Sequence, residues 1–464
     1  MKVIHCFLVM MLFGALNGFG QENKRPPYQY PEEPEVLENL REWQDMKFGL
    51  FMHWGAYCQW GVIESWTLNP SDHEWIRRPK DRTYNQYVQD YENLIRTFNP
   101  VKFDPDKWAA AARDAGMRYV VFTTKHHDGF NMFDTRQSDY RITSEDCPFH
   151  RHPRANVAKE VFESFRGEDF KIGAYYSIAD WHHDDYWWRH FPPKDAGLNY
   201  SVEKYPEKLE RYNDFIYNQL EELMKGDYGK IDILWFDVTC YDAPWKRFAT
   251  MVRSYQPQVM TVARGQNNLY ENYRTPEQEI PEKALDYPWE TCMTMGGQWS
   301  YKPDDTYKPA REIIQMLLQI VSRGGNYLLN IGPGPDGDWH PTAYERLKEI
   351  GAWMKVNSEA IYGTRPLAPY QETKRVFTAK GNTVYAAYLA DENETNLPSL
   401  VMVHSMQPAK GSKVYLLGHD RPLAWEKVGN GFVIRVPKAL QGKAPCRHAW
   451  VFRFEKNGEL RMEN

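Results

Sequence analysis

The stretch Ile231-Asp232-Ile233-Leu234-Trp235-Phe236-Asp237 constrains this chain more than any other. Its β-branched and aromatic residues follow a long helical pattern at 205–225. That combination reads as a strand covered on both faces, the kind that parallel sheets contain. A parallel strand needs a crossover to reach its neighbour, so strands and helices must alternate on either side of it. They do. Strand-like runs fall at 47–55, 119–124, 171–177, 259–264, 289–294 and 324–333, and helical patterns separate most of them at 104–116, 157–165, 243–255 and 310–322. A last long helix follows at 344–356. This alternation predicts an α/β fold, and the number of strands favours a (β/α) TIM-like barrel over a doubly wound sheet. No G-x-G-x-x-G follows the first strand, which argues against dinucleotide binding.

After about residue 365 the pattern changes to short β runs separated by turns such as Lys380-Gly381-Asn382 and Gly429-Asn430-Gly431. An all-β sandwich is expected there. The expected division is therefore a signal peptide at 1–20, a catalytic barrel domain at 21–364 and a C-terminal β-sandwich domain at 365–464. The sandwich is expected to pack against the barrel rather than to carry a binding site of its own.

The first 20 residues resemble a secretory signal, with Lys2, an apolar run at 3–16, and small residues at Gly18 and Gly20. The run is too short for a transmembrane anchor. The mature protein is expected to be exported, periplasmic or secreted, with no membrane insertion. Of six cysteines, Cys6 lies in this segment, and Cys58, Cys147, Cys240, Cys292 and Cys446 are too scattered for a disulfide framework or a C-x-x-C zinc site. A net charge of −5 provides no basic field for nucleic acid. Aromatic residues make up 15% of the chain, a content that suits stacking against sugar rings but also suits a large core.

Polar residues gather where strands end. His53, His126, His127, Tyr176, Asp237 and Arg264 all lie at or just past a strand's C-terminal end, and in a barrel these ends converge on one pocket. Asp237, beside Trp235 and Phe236, is a candidate nucleophile or acid/base; the alternative is an Asp that caps the next helix. The histidine pairs His126-His127 and His182-His183 are adjacent and chelate poorly, and there is no H-E-x-x-H, so no metal site is expected. No G-x-S-x-G elbow supports a serine nucleophile. Two carboxylates among imidazoles and aromatics fit glycoside cleavage, with Asp237 as one. Glu277, Glu279 and Glu290 are the candidates for the other.

Five motifs, taken together, resemble the α-L-fucosidases of glycoside hydrolase family 29. They are Phe48-Gly49-Leu50-Phe51-Met52-His53-Trp54-Gly55, Lys125-His126-His127-Asp128-Gly129-Phe130, Leu234-Trp235-Phe236-Asp237, Trp289-Glu290-Thr291-Cys292, and Gly324-Gly325-Asn326-Tyr327-Leu328-Leu329-Asn330-Ile331-Gly332-Pro333. The resemblance runs from about residue 36 to 455. It implies a retaining, two-step hydrolase with no metal or organic cofactor, acting on a fucosylated oligosaccharide or glycan. By position, Asp237 matches the family nucleophile. His53, His126, His127, Tyr176 and Trp235 match residues that hold the sugar, Arg264 matches a sugar-contacting arginine, and Trp66 keeps its place in the substrate pocket. For the acid/base the resemblance implies Glu277, favoured because a loop glutamate can swing over the glycosidic oxygen, with Glu290 as the alternative. The chain departs from the family at Val238-Thr239-Cys240, where many members have Gly, and at Glu64-Ser65-Trp66, where many have Ser-Glu-Trp. An α-L-galactosidase therefore stands as an alternative, since a pocket rejects one added hydroxyl only weakly. A carbohydrate-binding protein with a decayed site is the alternative of a different class.

Overall fold

The computed structural model describes residues 27–456 except 72–75, 77, 239 and 267. The stretch at 1–20, expected to direct export, lies outside the described residues. Seven parallel strands form the barrel sheet: β1 (Phe48–Met52), β2 (Tyr119–Lys125), β3 (Lys171–Ser177), β4 (Ile233–Asp237), β5 (Met260–Ala263), β6 (Glu290–Thr294) and β7 (Asn326–Asn330). Their order is β5-β4-β3-β2-β1-β7-β6. Every residue of these strands is buried except Asp237, which is partly exposed at the tip of β4.

The sheet is TIM-like but incompletely closed. Among the described residues β5 and β6 share no ladder, and residues 271–278 run through the gap instead. The Asn272 amide donates to the Thr261 carbonyl at 2.9 Å, the Glu290 amide to the Arg274 carbonyl at 2.9 Å, and the Gln278 amide to the Cys292 carbonyl at 3.0 Å. Pro276 has no N–H to give, which keeps this seam from becoming a regular strand. The irregular seam carries Glu277.

Helix α1 (Pro34–Met46) plugs the end of the barrel away from Asp237. Val36, Leu40 and Trp43 recur at helical spacing and are fully buried against Tyr119, Ile233 and Tyr273. Burying each is worth roughly 1.5–3 kcal/mol by area transfer. Trp43 stacks on Tyr273 at 3.9 Å, and its carbonyl accepts from Asn326 Nδ2 at 2.7 Å. Gly49 is required inside the barrel, because a Cβ there would lie 2.3 Å from the Tyr119 ring.

The outer layer comprises α2 (Tyr84–Glu92), α3 (Pro105–Asp114), α4 (Val157–Arg166), α5 (Pro206–Met224), α6 (Trp245–Tyr255), α7 (Ala310–Ser322) and α8 (Pro341–Asn357). Among the described residues no helix is long and apolar enough to cross a membrane. The C-terminal part is antiparallel. One sheet contains β8 (Arg365–Glu372), β9 (Arg375–Lys380), β10 (Thr383–Leu389), β12 (Tyr415–Leu416) and β15 (Ala449–Glu455); the other contains β11 (Leu400–Val403), β13 (Ala424–Val428) and β14 (Gly431–Arg435). Strand alternation divides the larger sheet. Val376, Tyr385, Ala387 and Val451 join the barrel's core, whereas Phe377, Ala386, Trp450 and Phe452 pack with the smaller sheet. Trp353 Nε1 of α8 donates to the Ala449 carbonyl at 2.9 Å, and Gln315 Nε2 of α7 to the Ala390 carbonyl at 2.7 Å.

Candidate active site

At the C-terminal ends of the strands a pocket is lined by His53, Trp66, His126, His127, Trp235, Asp237, Arg264 and Glu277, all expected from the sequence. Phe51, Glu64, Val238, Cys292 and Trp299 complete the lining.

Asp237 occupies the centre. Tyr175 donates its hydroxyl to Oδ2 at 2.9 Å, Arg264 Nη1 donates to Oδ1 at 3.0 Å, and the Val238 amide donates to Oδ1 at 2.9 Å. Helix α6 starts at Trp245 behind Pro244, so Asp237 caps no helix. Burial works to raise its pKa, but the Arg264 charge, with His127 and the Tyr175 bond, outweighs burial and holds the carboxyl below the ordinary aspartate value. The Val238 bond has a conformational cost. This β-branched residue sits at φ 43, a left-handed conformation that favours glycine and is worth about 1–3 kcal/mol of strain.

Arg264 lies just past β5 and serves two carboxylates. Its Nη1 binds Asp237 and its Nη2 forms a short ion pair with Glu277 Oε2. The bridge depends on the seam, which places Glu277 opposite Cys292 of β6. Glu277 remains the more accessible of the two carboxylates, with 39% of its side chain exposed against 13% for Asp237. One guanidinium spanning both groups is compatible with the ~5–5.5 Å carboxyl separation of a retaining pair.

The imidazoles are fixed as hydrogen-bond acceptors. Asn330 Nδ2 donates to the Trp299 carbonyl at 2.7 Å, which turns Asn330 Oδ1 towards His53 Nδ1 at 2.8 Å. Nδ1 of His53 must then carry the proton, leaving Nε2 as a lone pair. Ser177 spends its hydroxyl proton on the Ala179 carbonyl at 2.6 Å, so its oxygen accepts from His127 Nδ1 at 2.7 Å. The Nε2 of His127 is likewise an acceptor, 3.9 Å from Asp237 Oδ2. Burial pushes both imidazoles down to about 4, so both are neutral near pH 7. His126 bonds Ser65 through Nδ1 and is shifted in the same direction by burial. Gly129 shapes this turn: at φ 75, a Cβ would lie 2.2 Å from Asp180 Oδ1.

Tyr176 is a correction to the sequence reading. It lies on the other face of β3, where its hydroxyl donates to Gln219 Oε1 of α5 at 2.7 Å and its ring lies 4.4 Å from the Lys125 ammonium. The tyrosine that reaches Asp237 is Tyr175, whose ring stacks on Trp235 at 5.4 Å. Side chains two apart share a strand face, so Tyr175 goes with Ser177 and not with Tyr176. Tyr175→Phe is expected to lower kcat about 10–100-fold, because Asp237 loses a direct donor. Tyr176→Phe is expected to leave kcat and KM within twofold and to cost about 1 kcal/mol of stability. Steady-state kinetics and thermal melts of both variants check the assignment.

Glu290 is the second correction. It is fully buried inside the barrel, beneath the pocket and absent from its lining. Tyr119 donates to its Oε2 at 2.6 Å and Trp235 Nε1 to its Oε1 at 3.2 Å, while burial pushes its pKa up to about 7. A glutamate sealed in this way cannot reach a glycosidic oxygen, so Glu290 holds Trp235 from below. Glu290→Ala strands two buried donors at ~1–3 kcal/mol each. It is expected to lose about 2–5 kcal/mol in urea unfolding, while the ratio of kcat/KM for activated and unactivated leaving groups stays unchanged.

Glu64 was not assigned from the sequence and proves to line the pocket. Its Oε1 accepts from the Ser300 amide at 2.5 Å, and its Oε2 is buried without a hydrogen-bond partner among the described residues. Burial raises its pKa to about 8, so near pH 7 it is mostly a neutral donor. Trp299 was also missed, and its ring lies 5.1 Å from His53. The position of Glu64 beside Trp66 was the one local signal available. Trp299 carried none, because its loop is brought to the pocket by contacts with residues remote in sequence, Glu64 through the Ser300 amide and Asn330 through the Trp299 carbonyl.

Comparison with known proteins places this geometry. Residues 16–359 match the family model described as Alpha-L-fucosidase, and residues 371–455 match the Alpha-L-fucosidase C-terminal domain. The chain is similar to tissue alpha-L-fucosidase of Rattus norvegicus, 29% identical over 463 residues and covering 93% of each chain. It is also similar to alpha-L-fucosidase of Branchiostoma floridae, 29% identical over 441 residues, 90% of this chain and 93% of the other. Among solved structures, alpha-L-fucosidase isoenzyme 1 from Paenibacillus thiaminolyticus superposes with a TM-score of 0.74 at 30% identity, covering 91% of this chain and all of that one. Thermotoga maritima alpha-fucosidase gives 0.70 at 25% identity, covering 92% of this chain.

Proposed function

The chain belongs to the alpha-L-fucosidase family, retaining hydrolases of glycoside hydrolase family 29, and on that footing we propose that Asp237 is its nucleophile and Glu277 its acid/base. The observation that carries the assignment is the Arg264 guanidinium joined to both carboxylates. In the first step an Asp237 oxygen attacks the anomeric carbon, the bond to the leaving oxygen breaks, and the Glu277 carboxyl gives that oxygen its proton. This leaves a glycosyl ester on Asp237. In the second step Glu277, now a carboxylate, takes a proton from water. The water oxygen attacks the anomeric carbon, and the ester bond returns its electrons to Asp237.

His53 Nε2 and His127 Nε2 accept sugar hydroxyl protons, and the neutral Glu64 carboxyl donates one. The apolar wall of Phe51, Trp299 and Cys292 suits the methyl group of a 6-deoxy sugar. The substrate class is terminal α-L-fucose on an oligosaccharide or glycan. Export belongs to the same reading, supported by the apolar run at 3–16 behind Lys2.

The test is hydrolysis of aryl α-L-fucoside followed by NMR before mutarotation, beside the same assay on aryl α-L-galactoside. α-L-Fucose is expected as the first-formed anomer, with kcat/KM for the fucoside about 10–100-fold above the galactoside, the scale of discrimination against one added hydroxyl. First-formed β-L-fucose would rule out double displacement, and a preference for the galactoside would move the substrate.

A further inference from the structure

A second cavity, about 570 Å3, adjoins the catalytic pocket and is not used by the chemistry above. Its walls come from α2 and from the loops that follow β1, β2 and β3. Trp181 lines it and also forms the partition: its indole lies 5.5 Å from Trp66 and 5.2 Å from His127, both in the catalytic pocket. A ligand leaving the catalytic pocket over Trp66 therefore meets this cavity next.

The cavity is built rather than incidental. Trp187 stacks on Trp181 at 5.0 Å and 11°, fixing the partition. Trp188, on the far wall, is held by Tyr205 at 5.0 Å and by the Lys208 ammonium at 4.5 Å. Such fixed aromatic faces suit the C–H faces of sugar rings. Polar groups are spaced between them. Asn85 and Gln89, one turn apart on α2, present exposed amides on the rim. Deeper in, Tyr140 is only 7% exposed, and its hydroxyl is buried without a hydrogen-bond partner among the described residues. Its ring stacks on His182 at 4.3 Å. A charged occupant would find the local charges already matched, because Glu92 accepts from His182 Nδ1 at 2.9 Å and pairs with Arg189 at 3.5 Å. Size, aromatic faces and a few convergent polar groups fit a sugar subsite.

We infer that this cavity is a second sugar-binding site, holding a neutral hexose or N-acetylhexosamine unit of the aglycone on the leaving-group side of Trp181. The inference rests on the assignment of the catalytic pair to the neighbouring pocket.

The test uses the full chain and two α2 variants outside the catalytic pocket. Asn85→Ala with Gln89→Ala removes the rim amides, and Val88→Trp fills the cavity from the same helix. The substrates are an aryl α-L-fucoside and a branched, fucosylated oligosaccharide built of neutral hexose and N-acetylhexosamine units. Both variants are expected to keep aryl fucoside kcat/KM within twofold of wild type and to lose at least tenfold on the oligosaccharide, mainly through KM. The defucosylated oligosaccharide, titrated by calorimetry, is expected to bind wild type and to bind both variants at least tenfold more weakly. An unchanged ratio between the two substrates in both variants overturns the site while leaving the catalytic assignment intact. If wild type cleaves neither substrate, the catalytic assignment fails and calorimetry alone decides the cavity: binding lost in the variants supports it, and binding absent or unchanged overturns it.

Discussion

Asp237→Asn is expected to lower kcat/KM for an aryl α-L-fucoside by at least about four orders of magnitude, which corresponds to ~5 kcal/mol of lost transition-state stabilisation. The amide is nearly isosteric, and its one oxygen, placed at the Oδ1 position, still accepts from Arg264 and the Val238 amide, so the fold is expected to stay intact and the loss to fall on kcat. Asp237→Gly is the companion variant, because it opens room for an external anion. Azide added to it is expected to attack the anomeric carbon directly, expelling the aryl alkoxide and giving the β-fucosyl azide by one inversion. The pH dependence has a definite sign. The nucleophile is the ionised form, and its pKa is held below the ordinary value, so no Asp237 limb is expected above about pH 4. By linkage, a carboxyl with a depressed folded pKa adds stability above its unfolded pKa. That stability is lost as pH falls through the folded value, and the Asn variant lacks this dependence. An Asn variant retaining a tenth of wild-type activity would exclude Asp237 as the nucleophile.

Glu277→Ala is expected to divide by leaving group. Glycans leave as poor alkoxides and need the proton, so their kcat/KM should fall by about 10²–10⁴. An activated aryl group needs little acid help, so the first step should be nearly unaffected while the second loses its base. A burst of phenol followed by slow turnover is the expected trace. Azide should then intercept the fucosyl ester and give the α-fucosyl azide, the product of two inversions. Opposite azide anomers from Asp237→Gly and Glu277→Ala separate the two roles. Equal losses on both substrate types, with no burst, would move the acid/base elsewhere. Glu279 is then the next candidate, since Glu290 is sealed beneath Trp235.

The fold was legible because its pattern is local. Each strand of the barrel sheet is buried along its length, save Asp237 at the tip of β4, so it reads as an apolar run, and helix α7 places Ile313, Ile314, Leu317, Leu318 and Val321 on one face. Barrel closure was less legible. The sequence suggested a regular barrel, whereas the seam between β5 and β6 is made by backbone bonds from residues 271–278, around a proline and without strand periodicity.

The site divides along the same line. Residues at strand ends could be named from sequence because topology alone brings those ends together. His53, His126, His127, Trp235, Asp237 and Arg264 follow from it. What the sequence determined by itself was the order of the strands along the chain and the carboxylate at the tip of β4. The tertiary structure alone decided between Tyr175 and Tyr176, because a strand's facing is set by register. Tyr175 pairs with Trp235 and Ser177 with Asp237 across β3 and β4, and neighbours in register point the same way. It also set the surroundings of Glu277 and Glu290 apart. Both are glutamates beside the same sheet, but one lies on an exposed seam under Arg264, and the other meets Tyr119 and Trp235 arriving from distant strands. Burial and partnership at such positions depend on residues remote in sequence, and no local pattern encodes them.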